Sequence, residues 1–257
     1  MNSLRGTARG LAVVTGGGGG IGAAICRALH ADGWAVAVGY VTRDRAEKLA
    51  DELDSAGAPV VAVPLDMTEP EQIRSSLGQL LSVHGAIDVV VFNGGLAHGA
   101  YFVDTTEREW EQETEVNFLG PALVTQMCLP GMIARRRGVF VGVTSDSSKV
   151  GDVRHSPYAA AKGALNSFLK SIVREYGEHG IRASCVAPGP IDTAMLRYTF
   201  ESPELADAAI AKLTRLVPLG RLGDPAEVAA AVRFLCTDGE FVAGEHLSVG
   251  GGVTMNA

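Results

Sequence analysis

Short apolar runs alternate along this chain with longer stretches in which apolar residues recur every three or four positions. The runs LAVVT, WAVAVGY, PVVAVPL, IDVVVFN, GVFVGVT, IRASCVA and EHLSVG have strand length. Between them lie segments of helical length, from about Ile21 to Asp32, Arg43 to Ala56, Glu69 to Val83 and Thr106 to Arg135, and then a helix carrying Tyr158 and Lys162. Strands apolar at nearly every position belong in a sheet covered on both faces, because a solvated face would show polar residues at alternate positions. Strand–helix alternation therefore predicts an α/β fold, a doubly wound parallel sheet of about seven strands with helices on both faces. No repeat or composition break divides the chain, so residues 1–257 are expected to form a single domain. The segment from about Thr193 to Val217 interrupts the alternation and reads as a small helical insertion.

Composition narrows the function. The chain is 47% hydrophobic and 20% charged, enough apolar matter for a large core. A formal net charge of -7 argues against a nucleic-acid partner. The one dense basic run, ARRRGVF, reads as a solvated helix end. Cys26, Cys128, Cys185 and Cys236 are far apart with no CxxC pair, as expected of small buried residues in a reducing compartment. The six histidines show no HxxxH or HExxH spacing, so no metal site is expected. The opening MNSLRGTARG lacks the apolar core of a signal peptide, and no apolar run reaches the length of a membrane span. A cytoplasmic protein without a membrane partner is the expectation.

Two stretches carry chemistry. LAVVTGGGGGIGAAICRAL places a glycine turn between the first strand and the first helix. Glycines let a backbone approach a ligand closely, and the helix that opens there presents free N–H groups and a positive dipole end to a pyrophosphate. In the first βα unit of an alternating chain, this context predicts nucleotide binding. The second stretch, SPYAAAKGALNSF, sets Tyr158 and Lys162 four residues apart, on one helix face among small side chains. A free phenol holds its proton too tightly to exchange it readily at neutral pH. An ammonium ~4 Å away at an effective dielectric of about 20 would favour the phenolate by about 4 kcal/mol, or roughly three pKa units. No acid is near in sequence to cancel that charge.

The spacing TGxxxGxG (Thr15, Gly16, Gly20, Gly22), joined to YxxxK, resembles the short-chain dehydrogenase/reductases of the single-domain branch, over essentially the whole chain. The resemblance implies a Rossmann-like fold and an NAD(P)-dependent interconversion of a ketone and a secondary alcohol. It implies that Tyr158 is the general acid or base and that Lys162 lowers its pKa and holds the nicotinamide ribose. Ser145, thirteen residues before Tyr158, would orient the carbonyl, with Ser147 and Ser148 as local rivals; Asn117 would complete a proton relay. Cofactor contacts are implied for Gly16, Gly18, Gly19, Gly20, Ile21 and Gly22, for Asp66 and Met67, for Asn93, Gly94 and Gly95, and for Pro188, Gly189, Ile191 and Thr193. Ser147, His155 and Pro190 are implied to face the substrate, and residues 193–217 to form its lid. Two motifs depart from the family pattern: NNAG reads FNGG, with Phe92 in place of the first asparagine, and VDGG reads VGGG, with Gly250 in place of the acid. Both leave local packing, and subunit contacts, to be accounted for.

At the end of the second strand, where an acid would bind the adenine-ribose hydroxyls and repel a 2′-phosphate, stands Tyr40, with Thr42 and Arg43 following. NADP(H) is therefore favoured over NAD(H). PLGRLGDPAEVAAAVRFL resembles the C-terminal third of 3-oxoacyl-thioester reductases, and VGGGVTMNA resembles the ending of 2-hydroxycyclohexanecarboxyl-CoA dehydrogenase. A 3-oxoacyl thioester, on CoA or an acyl carrier, or a cyclic ketone is thus the implied substrate class. Arg135 to Arg137 and Arg174 lie where acyl-carrier reductases keep docking arginines. A homotetramer built on helix faces in regions 106–135 and 155–178 is implied as well. The rival functions are a catalytically silent NADP-binding sensor or scaffold on the same fold, and a family member with other chemistry such as dehydration or epimerisation.

Overall fold

A computed structural model describes residues 8–54, 57–194, 196 and 202–255. Seven parallel strands, β1 (Leu11–Val14), β2 (Ala35–Tyr40), β3 (Val60–Pro64), β4 (Val89–Phe92), β5 (Gly138–Val143), β6 (Ile181–Pro188) and β7 (His246–Val249), form one sheet in the order β3-β2-β1-β4-β5-β6-β7. The helices are α1 (Gly20–Ala31), α2 (Arg43–Asp54), α3 (Pro70–His84), α4 (Glu107–Thr114), α5 (Gly120–Ala134), the single turn α6 (Ser147–Val150), α7 (Ser156–Tyr176), α8 (Pro203–Leu216) and α9 (Pro225–Cys236).

The period-two geometry of a strand explains why the runs are apolar throughout. Leu11, Val13, Val90 and Phe92 pack into the core shared with α3, α5 and α7. Their neighbours Ala12, Val14, Val89 and Val91 point the other way, into the core shared with α1, α2 and α9. Phe92, the residue that breaks the family motif, is 1% exposed and stacks on Phe140 with centroids 6.1 Å apart and planes at 3°. The lost asparagine is replaced by an aromatic pair in the core. Helix α8 lies within the expected insertion, N-capped by Ser202, whose hydroxyl accepts from Leu205 N at 3.3 Å. Met195 and residues 197–201 of that insertion lie outside the described residues.

The region expected to be helical from about Thr106 to Arg135 is helical, in two α-helices joined by a π turn. A capping box between Thr106 and Glu109 starts α4, and a π-helical turn (Glu115–Leu119) joins it to α5. Asn117 sits in that turn, and its Nδ2 donates to the Glu113 carbonyl at 2.8 Å, competing with the regular helical bond. The combined run Glu107–Ala134 has 28 residues and a mean hydropathy of 1.3 in its most apolar window, so its length and composition would allow it to cross a membrane. The expectation that no run reaches that length is corrected: this one does, and it packs instead on α3 and α7.

Strand order reverses between β1 and β4, since β2 and β3 lie on one side of β1 and β4 to β7 on the other. Chain ends diverge there, opening a crevice outside the carboxyl ends of the strands. Every residue expected to hold cofactor or to do chemistry follows, or closes, a strand at this edge or lies on a helix leaving it.

Candidate active site and cofactor cradle

The glycine turn is built for a close ligand. Gly16 and Gly20 have φ of 59° and 51°, a region costly for any residue with a Cβ. A Cβ on Gly22 would lie 2.2 Å from the Gly16 carbonyl oxygen and 2.6 Å from Asn93 Nδ2, so α1 can sit against the turn only with glycine there. The first turn of α1 carries no acid and its N-cap, Gly19, offers no side-chain acceptor, which leaves its N–H groups and dipole for an anion. Thr193 faces Gly20 from the opposite wall, 3.6 Å from where its Cβ would be. The residues thus fit a dinucleotide, whose phosphates the turn, the α1 N-terminus and Thr193 would hold.

Asn93 serves that cradle through the backbone. Its Nδ2 donates to Thr15 O (3.1 Å) and Gly16 O (3.0 Å), and Thr15 Oγ1 accepts from the backbone N–H groups of Asn93 and Gly94. This side chain clamps two loops together across the switch point. Asp66, at the end of β3, accepts from both N–H and hydroxyl of Thr68, while Met67 packs under Gly120, whose Cβ would meet it at 2.6 Å. Pro188 ends β6 and Gly189 N donates to Val249 O at 3.1 Å. Ile191 is buried and bridges Gly223, and Ile21 packs against the core of α1 and α2.

Past β2 the arrangement of cations differs from expectation. Arg43 is bonded to Glu47 at 2.6 Å and points into solvent, and Thr42 is exposed. It is Arg45, two residues further and on the opposite side of the helix, that reaches the glycine turn: its Nη1 lies 3.7 Å from the Cβ position of Gly19 and its own Cβ 3.4 Å from that of Gly18. Arg45 has no ion-pair partner among the described residues. Two positions of helix bring it back over the loop, a geometry that sequence spacing alone did not single out.

At the carboxyl end of β5, the Ser145 hydroxyl lies near enough to the Tyr158 phenol to favour its ionised form. Ser147 donates to Ser145 Oγ at 2.8 Å and Ser148 to the Ser145 carbonyl at 2.6 Å. Ser147 is buried with its hydroxyl spent on Ser145, so it orients that residue rather than opening toward a substrate. Lys162 is 2% exposed, and its Nζ donates to Val143 O (2.9 Å) and Gly94 O (3.3 Å), 5.8 Å from the Tyr158 ring centroid. Asn117, fully buried, donates to Leu96 O at 2.8 Å and accepts from Leu96 N at 3.3 Å. Gly95 lies between them; its Cβ position is 3.3 Å from both Asn117 Oδ1 and Lys162 Nζ, so a side chain there would part the two.

The expected electrostatics need a correction. Burial pushes the Tyr158 phenol up, the Ser145 hydroxyl opposes this, and the charge of Glu113 pushes it up further. Burial likewise brings the Lys162 ammonium down to about 8. Lys162 therefore does not bring the phenol near neutrality from within the protein alone, because its bonds are directed at main-chain carbonyls. Both groups instead sit in a medium that resists charge.

The substrate side is framed by two loops. The His155 ring meets that of Tyr158 edge-on at 6.1 Å, and its Nε2 lies 3.6 Å from the Cβ position of Gly99. Arg154, at φ 68°, lays its guanidinium 5.8 Å over Tyr101 and so joins the loops. Tyr101, Phe102, Val103, Val150 and Val153 are all exposed along this rim. Pro190 stands apart from them, in a hollow with Val217, Gly250 and Met255 beside β7.

A family model described as Enoyl-(Acyl carrier protein) reductase matches residues 16–254. The chain belongs to the short-chain dehydrogenase/reductase family. Among its relatives is a 3-oxoacyl-[acyl-carrier-protein] reductase of Thermotoga maritima, 32% identical over 95% of this chain and 97% of that one. An L-fucose dehydrogenase of Mus musculus is 34% identical, covering 95% of this chain and 88% of the relative. The crystal structure of gox2181 superposes with a TM-score of 0.87 at 30% identity, over 97% of both chains. This family member is an oxidoreductase that interconverts a ketone and a secondary alcohol with a nicotinamide cofactor; nothing favours the silent-sensor alternative.

In the second departure from the family pattern, the structure supplies the missing acid from elsewhere. A Cβ on Gly250 would lie 2.2 Å from Asp146 Oδ2, and Asp146 Oδ1 accepts from Ser248 Oγ at 3.0 Å. The carboxylate absent at 250 is thus present from 146, the residue after Ser145.

Proposed function

We propose that this family member is an NADP(H)-dependent reductase of 3-oxoacyl thioesters, with Tyr158, Lys162, Ser145 and Asn117 as its catalytic group. The observation that carries the substrate class is the apolar rim of Tyr101, Phe102, Val103, Val150 and Val153 beside His155. Such a rim suits an acyl chain, whereas a sugar would leave its hydroxyls against apolar groups that cannot hydrogen-bond them. The reductase relatives support the same reading, and the fucose dehydrogenase marks the competitor.

When bound, the dinucleotide supplies the hydride and, once oxidised, a positive charge on its nicotinamide ring. Gly16 to Gly22, Asp66, the Asn93–Gly95 loop and Thr193 would hold it. Ser145 orients the carbonyl oxygen, Tyr158 donates its proton to that oxygen, and Lys162 anchors the ribose. Competition of a 3-oxoacyl-CoA, a cyclic ketone and L-fucose for one enzyme tests the substrate class. The expected order of kcat/KM is thioester first, and a preference for L-fucose would overturn it.

Cofactor choice rests on Tyr40, where no carboxylate repels a 2′-phosphate, and on Arg45, which stands over the glycine turn. Arg45→Ala should weaken NADPH in a fluorescence titration more than it weakens NADH. Arg43→Ala should do less, because Arg43 is already paired with Glu47. Tyr40→Asp should shift preference toward NADH. A wild-type kcat/KM favouring NADH by tenfold, about 1.4 kcal/mol, contradicts the assignment.

A cytoplasmic homotetramer completes the reading. Phe234 on α9, Phe241 after it and Leu247 on the edge strand β7 are exposed, and Leu119 is exposed at the α4–α5 junction. These are apolar surfaces suited to two-fold contacts. A monomer in light scattering at micromolar concentration would argue against it. The four cysteines are free and buried, with thiols pushed up to about 12 by burial, consistent with a reducing compartment.

A further inference from the structure

Among the described residues, two that carry a side chain stand in the left-handed backbone region, and only one has a helix end to explain it. Arg136, at φ 53°, follows the last turn of α5, where a left-handed residue commonly ends a helix. Arg154, at φ 68°, is the third residue of a turn closed by His155 N donating to Asp152 O at 3.3 Å, a place that glycine fills at no steric cost. The strained turn carries the Arg154 guanidinium across to the facing loop, 5.8 Å over the Tyr101 ring. Asp152, the nearest acid in sequence, faces His155 Nδ1 at 3.7 Å instead, and Arg154 has no ion-pair partner among the described residues. Both members of the pair are exposed, Tyr101 at 60%. They stand at the mouth of the active site: Tyr101 and Val153 belong to its apolar rim, and the His155 ring meets Tyr158 edge-on at 6.1 Å. A cation–π contact uses none of the five N–H donors of a guanidinium. Joining the two loops does not require a cation, since a leucine or methionine would cover Tyr101 and leave no donor unused.

We propose that Arg154, held over Tyr101, binds the phosphate of a thioester substrate's phosphopantetheine arm and so selects substrates that carry one. The inference rests on the thioester reading above. A 3-oxoacyl group that reaches Tyr158 lies past the apolar rim, and its sulfur-linked arm leaves by the same mouth, ending in a phosphate that is anionic at neutral pH. CoA and a carrier protein present the same arm; CoA continues it to an adenosine, a carrier protein to a serine. The chemistry recognised is shared, a phosphate whose oxygens accept two N–H bonds from one guanidinium. A backbone cost retained at a site mouth, where glycine would remove it, accords with a side chain kept for its contacts. The phosphate is remote from the reacting carbonyl and is bound equally in ground state and transition state. The contact therefore lowers KM and leaves kcat unchanged.

One 3-oxoacyl group carried on pantetheine, which has no phosphate, on phosphopantetheine and on CoA separates the phosphate from the rest of the arm. The same group on an acyl carrier protein tests the second source. Wild-type KM should be lower for the phosphorylated arms, by a margin that shrinks as salt is raised. Arg154→Gly deletes the guanidinium and relieves the turn, so it should be at least as stable as wild type in urea unfolding. Its KM should rise by about tenfold for the phosphopantetheine and CoA thioesters with kcat little changed, and by less than about twofold for the pantetheine thioester. Arg154→Gln, which keeps a long polar side chain without the charge, should show the same split if the glycine variant loosens the loop. A loss on CoA alone assigns the contact to CoA, and a loss on the carrier-linked thioester alone assigns it to the carrier arm. Equal losses with and without phosphate, or no loss on any thioester, would overturn the proposal and leave Arg154 a latch between loops. If wild type turns over L-fucose and none of the thioesters, the substrate reading fails instead, so the two failures are distinguishable.

Discussion

Turnover of Tyr158→Phe should fall by about 10²–10⁴-fold, the range expected when a general acid or base is removed. The substitution removes one oxygen and leaves a ring that packs as before, at a position fixed by α7 rather than by the hydroxyl. Cofactor affinity should change little, because the glycine turn, Asp66 and the Asn93 clamp have no contact with the phenol. Stability should also stay near wild type. The phenol's neighbour is the Ser145 hydroxyl, which retains the Ser147 hydroxyl and the Ser147 N–H as partners. A fluorescence titration with NADPH beside steady-state rates on a 3-oxoacyl-CoA separates chemistry from binding. Near wild-type turnover would reduce Tyr158 to core packing, and with it the enzymatic reading of SPYAAAKGALNSF.

Much of this site could be read from residue types and spacing, for reasons the structure makes concrete. Glycines at 16, 20 and 22 mark positions where a Cβ is excluded by φ or by contact with the Gly16 carbonyl, so the motif is a direct record of backbone geometry. Tyr158 and Lys162 share a helix face because four residues make about one turn. The unbroken apolar runs recorded a sheet covered on both faces. What could not be read depends on which segments the fold brings together. Arg45 reaches Gly19 only because α2 packs beside the glycine turn, while Arg43, the nearer cation in sequence, turns away to Glu47. Asp146 fills the space at Gly250 across more than a hundred residues of chain, so Gly250 alone looked like a loss. The π turn at Asn117 was also hidden, because a side chain competing for a main-chain carbonyl leaves no periodic trace.

The structure also changes what Lys162→Met should reveal. Deleting the ammonium should lower turnover and weaken NADPH together, through the lost ribose contact, whereas Tyr158→Phe affects turnover alone. The second consequence concerns stability. The native pKa of Lys162 is brought down to about 8 from the 10.5 of an exposed lysine, because burial penalises its charge. Below pH 8 both folded and unfolded chains carry this proton, so the folded protein bears the whole cost. Between about 8 and 10.5 the unfolded chain binds the proton and the folded chain does not, and stability attributable to this group rises with pH. The full span corresponds to about 3 kcal/mol. Methionine has no such titration, so wild type should gain on Lys162→Met as pH increases through that window in urea unfolding. Which protein is more stable at neutral pH turns on a balance. The variant escapes the buried charge but leaves the Val143 and Gly94 carbonyls without the lysine's bonds, a loss of about 1–3 kcal/mol for each buried group left unpaired. The pH slope is independent of that balance, since removing the bonds shifts the variant equally at every pH. A stability difference that stays flat from pH 8 upward would mean that Lys162 keeps an ordinary pKa, and that the ammonium is better hydrated than its burial between β4 and β5 allows.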